Sequence, residues 1–106
     1  MSTIEPHIIE YVKVFKALAD EKRLMLLYCL FNKGEQCSTQ LAEALNLPQS
    51  SLSYHMKILC ESGIVLRRED GKWTYYNVSL EGRNNAQRIL KHFHDYAMQY
   101  YEKLSR

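Results

Sequence analysis

The chain has 106 residues, 46% of them hydrophobic, which is enough for one small domain with its own core and too few for two. No apolar run approaches the roughly 18 residues that span a bilayer, and residues 1–6 lack the basic-then-apolar pattern of a secretory signal, so a cytoplasmic chain is expected. The net charge of +2 is spread evenly: residues 1–46 hold five bases and six acids, 47–78 four and three, 79–106 five and three. A basic arm is thereby excluded, and attraction to any polyanion rests on a few placed side chains.

From residue 4 to 18, Ile8, Tyr11, Val12, Phe15 and Leu18 recur at helical spacing. Asp20 can cap a second helix, in which Leu24, Leu27, Tyr28 and Phe31 share one face. A short third helix covers about 38–45, with Ser38 or Thr39 as its cap and Leu41, Ala42 and Leu45 inward. After Asn46 and Leu47, Pro48 pre-sets the first turn of a fourth helix, along which Leu52, Met56 and Leu59 form an i, i+4, i+7 stripe. The period then changes. Residues 64–69 and 72–78 are rich in β-branched and aromatic side chains and flank Asp70-Gly71, a two-residue type I′ hairpin signal. A long last helix follows over 80–104, with Ile89, Phe93, Ala97, Tyr100 and Leu104 in line.

The order is therefore α-α-α-α-β-β-α, a mainly α fold with a β-hairpin wing, in one domain over residues 1–106. Residues 38–61 have the form of a helix-turn-helix, and 64–78 that of a wing. With Leu52, Met56 and Leu59 inward, the fourth helix turns Gln49, Ser50, Ser53, Tyr54 and Lys57 outward, with Ser51 beside them. A face built only for solubility carries Glu and Lys in i, i+4 pairs instead. Short hydrogen-bonding side chains let a helix sit deep in the major groove and reach base edges and phosphates. Arg67, Arg68 and Lys72 fall near the hairpin tip, where a wing meets backbone phosphate; charge protecting an edge strand is the plainer reading of the same residues. His55, beside the buried stripe, reads as a packed, hydrogen-bonded residue.

Three stretches carry a family resemblance. They are Ala17-Leu18-Ala19-Asp20-Glu21-Lys22-Arg23-Leu24, then Leu41-Ala42-Glu43-Ala44-Leu45, then Gln49-Ser50-Ser51-Leu52-Ser53-Tyr54-His55-Met56-Lys57-Ile58-Leu59. With Gly63-Ile64-Val65 and Gly71-Lys72-Trp73-Thr74-Tyr75-Tyr76, they resemble the ArsR/SmtB repressors over roughly residues 14–79. The resemblance implies a homodimer built on the first and last helices (residues 1–19 and 80–106), binding a palindromic DNA operator and released by an effector.

The family's sensing sites look incomplete here. Where the family pattern reads Glu-Leu-Cys-Val-Cys-Asp-Leu, this chain has Glu35-Gln36-Cys37-Ser38-Thr39-Gln40-Leu41, keeping one cysteine of two. Soft metals and arsenite take two or three thiolates, so Cys37 needs help from Cys60 or another chain. At the places of a last-helix zinc site stand Leu80, Gly82, Phe93 and Tyr96, none a good ligand; nearby His92 and Asp95 offer two. A dithiol switch between the second and last helices would use Cys29, but residues 80–106 contain no cysteine. Three cysteines without an export signal read as reduced thiols. Tyr96, Met98, Tyr100 and Tyr101 suit a dimer interface, where aromatic residues are enriched, better than a ligand pocket.

The expectation is thus a DNA-binding regulator, a homodimer with no cofactor, no membrane partner and an unidentified effector. A winged-helix module for protein partners and a metalloid-responsive repressor using Cys37 with another cysteine are the alternatives. No Gly-rich phosphate loop, paired carboxylates or nucleophile with a base supports an enzyme.

Overall fold

Asp20 starts the second helix as its sequence suggests: the extended residue accepts hydrogen bonds from the backbone N–H groups of Lys22 (2.9 Å) and Arg23 (3.1 Å). The computed structural model describes residues 8–105, Tyr96 by its backbone alone. Its elements are α1 (Ile8–Leu18), α2 (Glu21–Lys33), β1 (Gln36–Cys37), α3 (Ser38–Leu45), α4 (Gln49–Glu61), β2 (Val65–Asp70), β3 (Trp73–Val78) and α5 (Leu80–Leu104). The four-helix, hairpin, helix order holds. Residues 1–7 of the expected first helix and dimerisation segment lie outside the described residues.

The strand β1 adds to the expected order. Gln36 pairs with Tyr76 and Cys37 with Tyr75, so the wing is the outer part of a three-stranded antiparallel sheet ordered β1-β3-β2. Two residues are too short for a period-2 signal, and the pairing partner lies about forty residues on. Because the chain is still extended at Cys37, Cys37 rather than Ser38 or Thr39 takes the cap position of α3. The Gln40 side chain reaches back and accepts a hydrogen bond from the Cys37 N–H at 2.9 Å. Asn46, in the left-handed region at φ 53°, ends α3 and turns the chain into α4.

The hairpin differs from expectation by one residue. Asp70 pairs with Trp73, leaving Gly71-Lys72 as the loop. Gly71 has φ 62° and no positive φ occurs at Lys72, so glycine occupies the first loop position, the place it takes in a type II′ rather than a type I′ turn.

The core gathers around α4. Leu52, Met56 and Leu59 are fully buried against Leu26, Leu30, Leu41, Ile64, Val65 and Ile89. Truncating such a leucine to alanine costs about 2–5 kcal/mol. The inward faces of α1 and α2 differ from the sequence expectation. Val14 and Ala17 of α1, and Leu26, Leu27 and Leu30 of α2, are buried, whereas Val12, Phe15, Leu24, Tyr28 and Phe31 are exposed. Both helices carry more apolar residues than one face can hold, and the surplus stays outside.

The base of the wing is fixed to α5. The Ser79 N–H donates to the carbonyl of Ile64 at 2.7 Å, and the Ser79 hydroxyl caps α5 by accepting from Gly82 N–H at 3.0 Å. Gly82 lies so close to Gly63 that a Cβ would come within 1.9 Å of the Gly63 carbonyl oxygen. The wing, the end of α4 and the start of α5 therefore form one packed unit.

Candidate nucleic-acid interface

Burial along α4 follows the projected helix face. Gln49, Ser50, Ser53, Tyr54 and Lys57 are exposed, Ser51 is half-buried, and Leu52, Met56 and Leu59 face the core. The helix is 13 residues long, about 20 Å, and its polar side is uninterrupted by a large aliphatic residue. Tyr54 stands out from the surface with its ring edge against His55, centroids 5.4 Å apart. Lys57 lies 4.0 Å from Glu61 one turn on, a solvent-exposed pair that leaves its ammonium free to exchange partners.

The wing stands beside this face. A cleft of about 380 Å³ separates them, lined by Ser53, Met56, Lys57, Cys60 and Glu61 from α4, by Arg67, Thr74 and Tyr76 from the wing, and by Ser38. Three of the nine residues expected to meet DNA, Ser53, Lys57 and Arg67, thus surround one depression. Lys72 is in the hairpin loop at the far tip.

The wing arginines are already engaged. Arg67 is ion-paired with Glu69 on its own strand. Arg68 donates to both carboxylate oxygens of Glu35, approaches Asp70 to 3.8 Å, and lies over the ring of Tyr75, 4.5 Å from the centroid. The Arg68 hydrogen bonds hold the Glu35 carboxyl below its ordinary pKa and in turn raise that of Arg68. Sequence reasoning missed Glu35 and Tyr75 as partners. Tyr75 was findable, since it stands opposite Arg68 once the hairpin register is known; Glu35 is 33 residues away and gives no local signal.

The residues weighed as metal ligands fall on β1, α4 and α5. Cys37 is buried in β1, paired with Tyr75 of β3, while Cys60 is half-buried on the wall of the cleft. Burial pushes the Cys60 thiol up, against a smaller opposing pull from Arg67. Asp95 is bonded to Lys91 at 2.9 Å, and His92 packs against Tyr11 and Phe93. No three ligating side chains converge among the described residues.

Residues 20–66 match the arsR family of bacterial regulatory proteins, a span running from the cap of α2 into β2. The arsenical resistance operon repressor of Bacillus subtilis is 41% identical over 75 residues, 71% of each chain. This chain belongs to the arsR family. The Escherichia coli arsenical resistance operon repressor is 43% identical over 68 residues, 64% of this chain and 58% of that protein. Among solved structures, a possible transcriptional regulator for arsenical resistance superposes with a TM-score of 0.70 at 28% identity, covering 76% of this chain and 83% of that one. HlyU from Vibrio cholerae gives 0.67 at 29%, covering 83% and 96%. As an arsR-family member the protein is a DNA-binding transcriptional regulator with a winged helix-turn-helix, and not an enzyme. No helix among the described residues is long and apolar enough to cross a membrane.

Proposed function

We propose that the protein is a cytoplasmic repressor that binds palindromic operator DNA as a homodimer. In this reading α4 enters the major groove, with Gln49, Ser50, Ser51, Ser53 and Tyr54 toward base edges and sugars. Lys57, Arg67, Arg68 and Lys72 meet phosphate. The observation that carries it is the polar, exposed face of α4 beside a cation-bearing wing, with the cleft between them bordered by Ser53, Lys57 and Arg67. Dimerisation is supported by apolar surface on α1 and α5. Val12, Phe15, Leu90, Phe93, Met98, Tyr100, Tyr101 and Leu104 are all more than a third exposed, leaving large apolar side chains on both helices for a partner to cover. Two such copies would present their α4 helices about 34 Å apart, one turn of DNA.

Release by an effector belongs to the same reading. The two bacterial relatives named above are arsenical resistance repressors, so arsenite is the first effector to test. Thr39 stands where a second thiolate would be needed, and Cys37 is buried. A single thiolate is a poor arsenite site, so the effector is assigned no residue.

The deciding experiment titrates labelled duplex from the protein's own promoter region across salt concentrations. Tight binding with a steep negative salt slope is expected, because counterions leave as cations meet phosphate. Equal binding by the wild type and a variant with Arg67, Arg68 and Lys72 all changed to alanine would remove the wing from the interface. Binding indifferent to salt would point to a protein partner instead.

A further inference from the structure

Arg23 is a buried cation whose contacts reach three helices. Its Nε donates to the carbonyl of Ala17 at 2.8 Å and its Nη2 to that of Lys16 at 3.0 Å, both in the last turn of α1. Nη1 lies 3.9 Å from the Asp20 carboxylate that caps α2, and 3.1 Å from Nδ1 of His55 on α4. The residue is only 9% exposed, so each of these contacts replaces water that the guanidinium lost on folding. Arginine has no acceptor. The His55 contact therefore requires a bare Nδ1 lone pair, which places the ring proton on Nε2.

We infer that Arg23 is a positioning residue for DNA reading, fixing the angle of α4 to α1 through His55. The inference rests on the operator reading above, in which α1 forms part of the dimer face. The spacing of two recognition helices is then set by how rigidly each α4 is joined to that face. A guanidinium can fork onto two carbonyls and a ring nitrogen at once, whereas a lysine ammonium cannot match that planar pattern. His55 lies on the buried flank of α4 with its side chain only 12% exposed, while Tyr54 beside it points outward. It thus acts behind the reading face rather than on it.

The test uses the full chain with His55→Leu, His55→Gln and Arg23→Lys, because Arg23→Ala would strip several groups at once and could unfold. The probes are a duplex enriched from a randomised pool and a scrambled duplex of equal length. His55→Leu and Arg23→Lys are expected to weaken binding to the enriched duplex about tenfold, to leave the scrambled duplex unchanged, and to combine without adding, as coupled residues do. Glutamine can accept from Arg23, so His55→Gln should restore affinity to near wild type. Unchanged affinity in His55→Leu, or equal loss on both duplexes, overturns the inference. Nitrogen NMR of the His55 ring in the free protein reads the contact without DNA: a bare Nδ1 supports it and a protonated Nδ1 overturns it. A pool that enriches nothing sinks the operator reading, and the ring tautomer then still decides whether the strut exists.

Discussion

Arg68 donates two hydrogen bonds to Glu35, at 2.6 and 3.2 Å, so one of the three wing cations is held by a carboxylate from the β1 side of the sheet. Contact with DNA must exchange one anion for another. Removing the Glu35 charge removes both the competitor and a repulsive group beside the backbone. Glu35→Gln is therefore expected to raise affinity for DNA about two- to fivefold, the range of an exposed ion pair. A fluorescence-anisotropy titration at fixed salt checks this. Weaker binding would show that the pair aims Arg68 rather than sequesters it. Since Arg68 holds the Glu35 carboxyl below its usual range, the competition should not vary with pH between about 5 and 8.

The residues of the α4 face should divide into two kinds. Lys57→Ala is expected to weaken enriched and scrambled duplexes alike and to reduce the salt slope by about one. Ser53→Ala and Tyr54→Ala are expected to weaken mainly the enriched duplex, by about 1 kcal/mol or somewhat more, and to relax preference at one or two base positions. Identical losses on both duplexes for Ser53→Ala would reassign Ser53 to phosphate contact.

Much of this site was legible because one short stretch obeys one period. Leu52, Met56 and Leu59 set the buried side of α4, and everything opposite them followed. The long-range relations were hidden. Glu35 meets Arg68 only after β1 pairs with β3, and Arg23 meets His55 only after α2 packs on α4. On α2 the apolar run from Leu24 to Phe31 fits several faces, so periodicity alone could not separate buried Leu26 and Leu30 from exposed Tyr28 and Phe31. The one-residue shift of the hairpin has a similar origin. Asp70-Gly71 and Gly71-Lys72 both put glycine in a two-residue loop, and pairing in the sheet chooses between them.

Native mass spectrometry with arsenite and zinc added separately should show no stoichiometric retention. Cys37 is buried, its backbone N–H is tied to Gln40, and the position two residues on is threonine. Soft ions take two or three thiolates, and this position offers one. Uptake of one equivalent per protomer, lost in Cys37→Ser, would show that a second chain or Cys60 completes a site.

Gly82→Ala should destabilise the fold far more than a helix propensity scale suggests, since alanine is ordinarily the better helix former. The added methyl would meet backbone, the Gly63 carbonyl at 1.9 Å, and backbone cannot rotate away as a side chain can. A loss of about 1–3 kcal/mol or more is expected, as in overpacked cores. The start of α5 and the base of the wing should move apart, so DNA affinity falls with stability. Thermal unfolding reads the first effect. A Tm equal to or above that of the wild type would mean that α5 does not approach Gly63 so closely.

Asp20 offers a test by pH. Its carboxyl is lowered chiefly by the hydrogen bond from the Arg23 N–H, with burial opposing and the Arg23 charge adding a smaller pull. A carboxyl lowered in the fold stabilises above its unfolded pKa of about 3.9, and that contribution disappears as pH falls through the folded value. Asp20→Ala removes the cap at all pH values and should cost about 0.5–2 kcal/mol at pH 7. Asp20→Asn can still accept the two backbone hydrogen bonds but does not titrate. Its stability should lie between the two at pH 7 and fall less steeply than wild type from pH 4 to pH 2. Urea unfolding at a series of pH values measures both slopes, and parallel slopes for wild type and Asp20→Asn would show that the Asp20 charge contributes nothing to the start of α2.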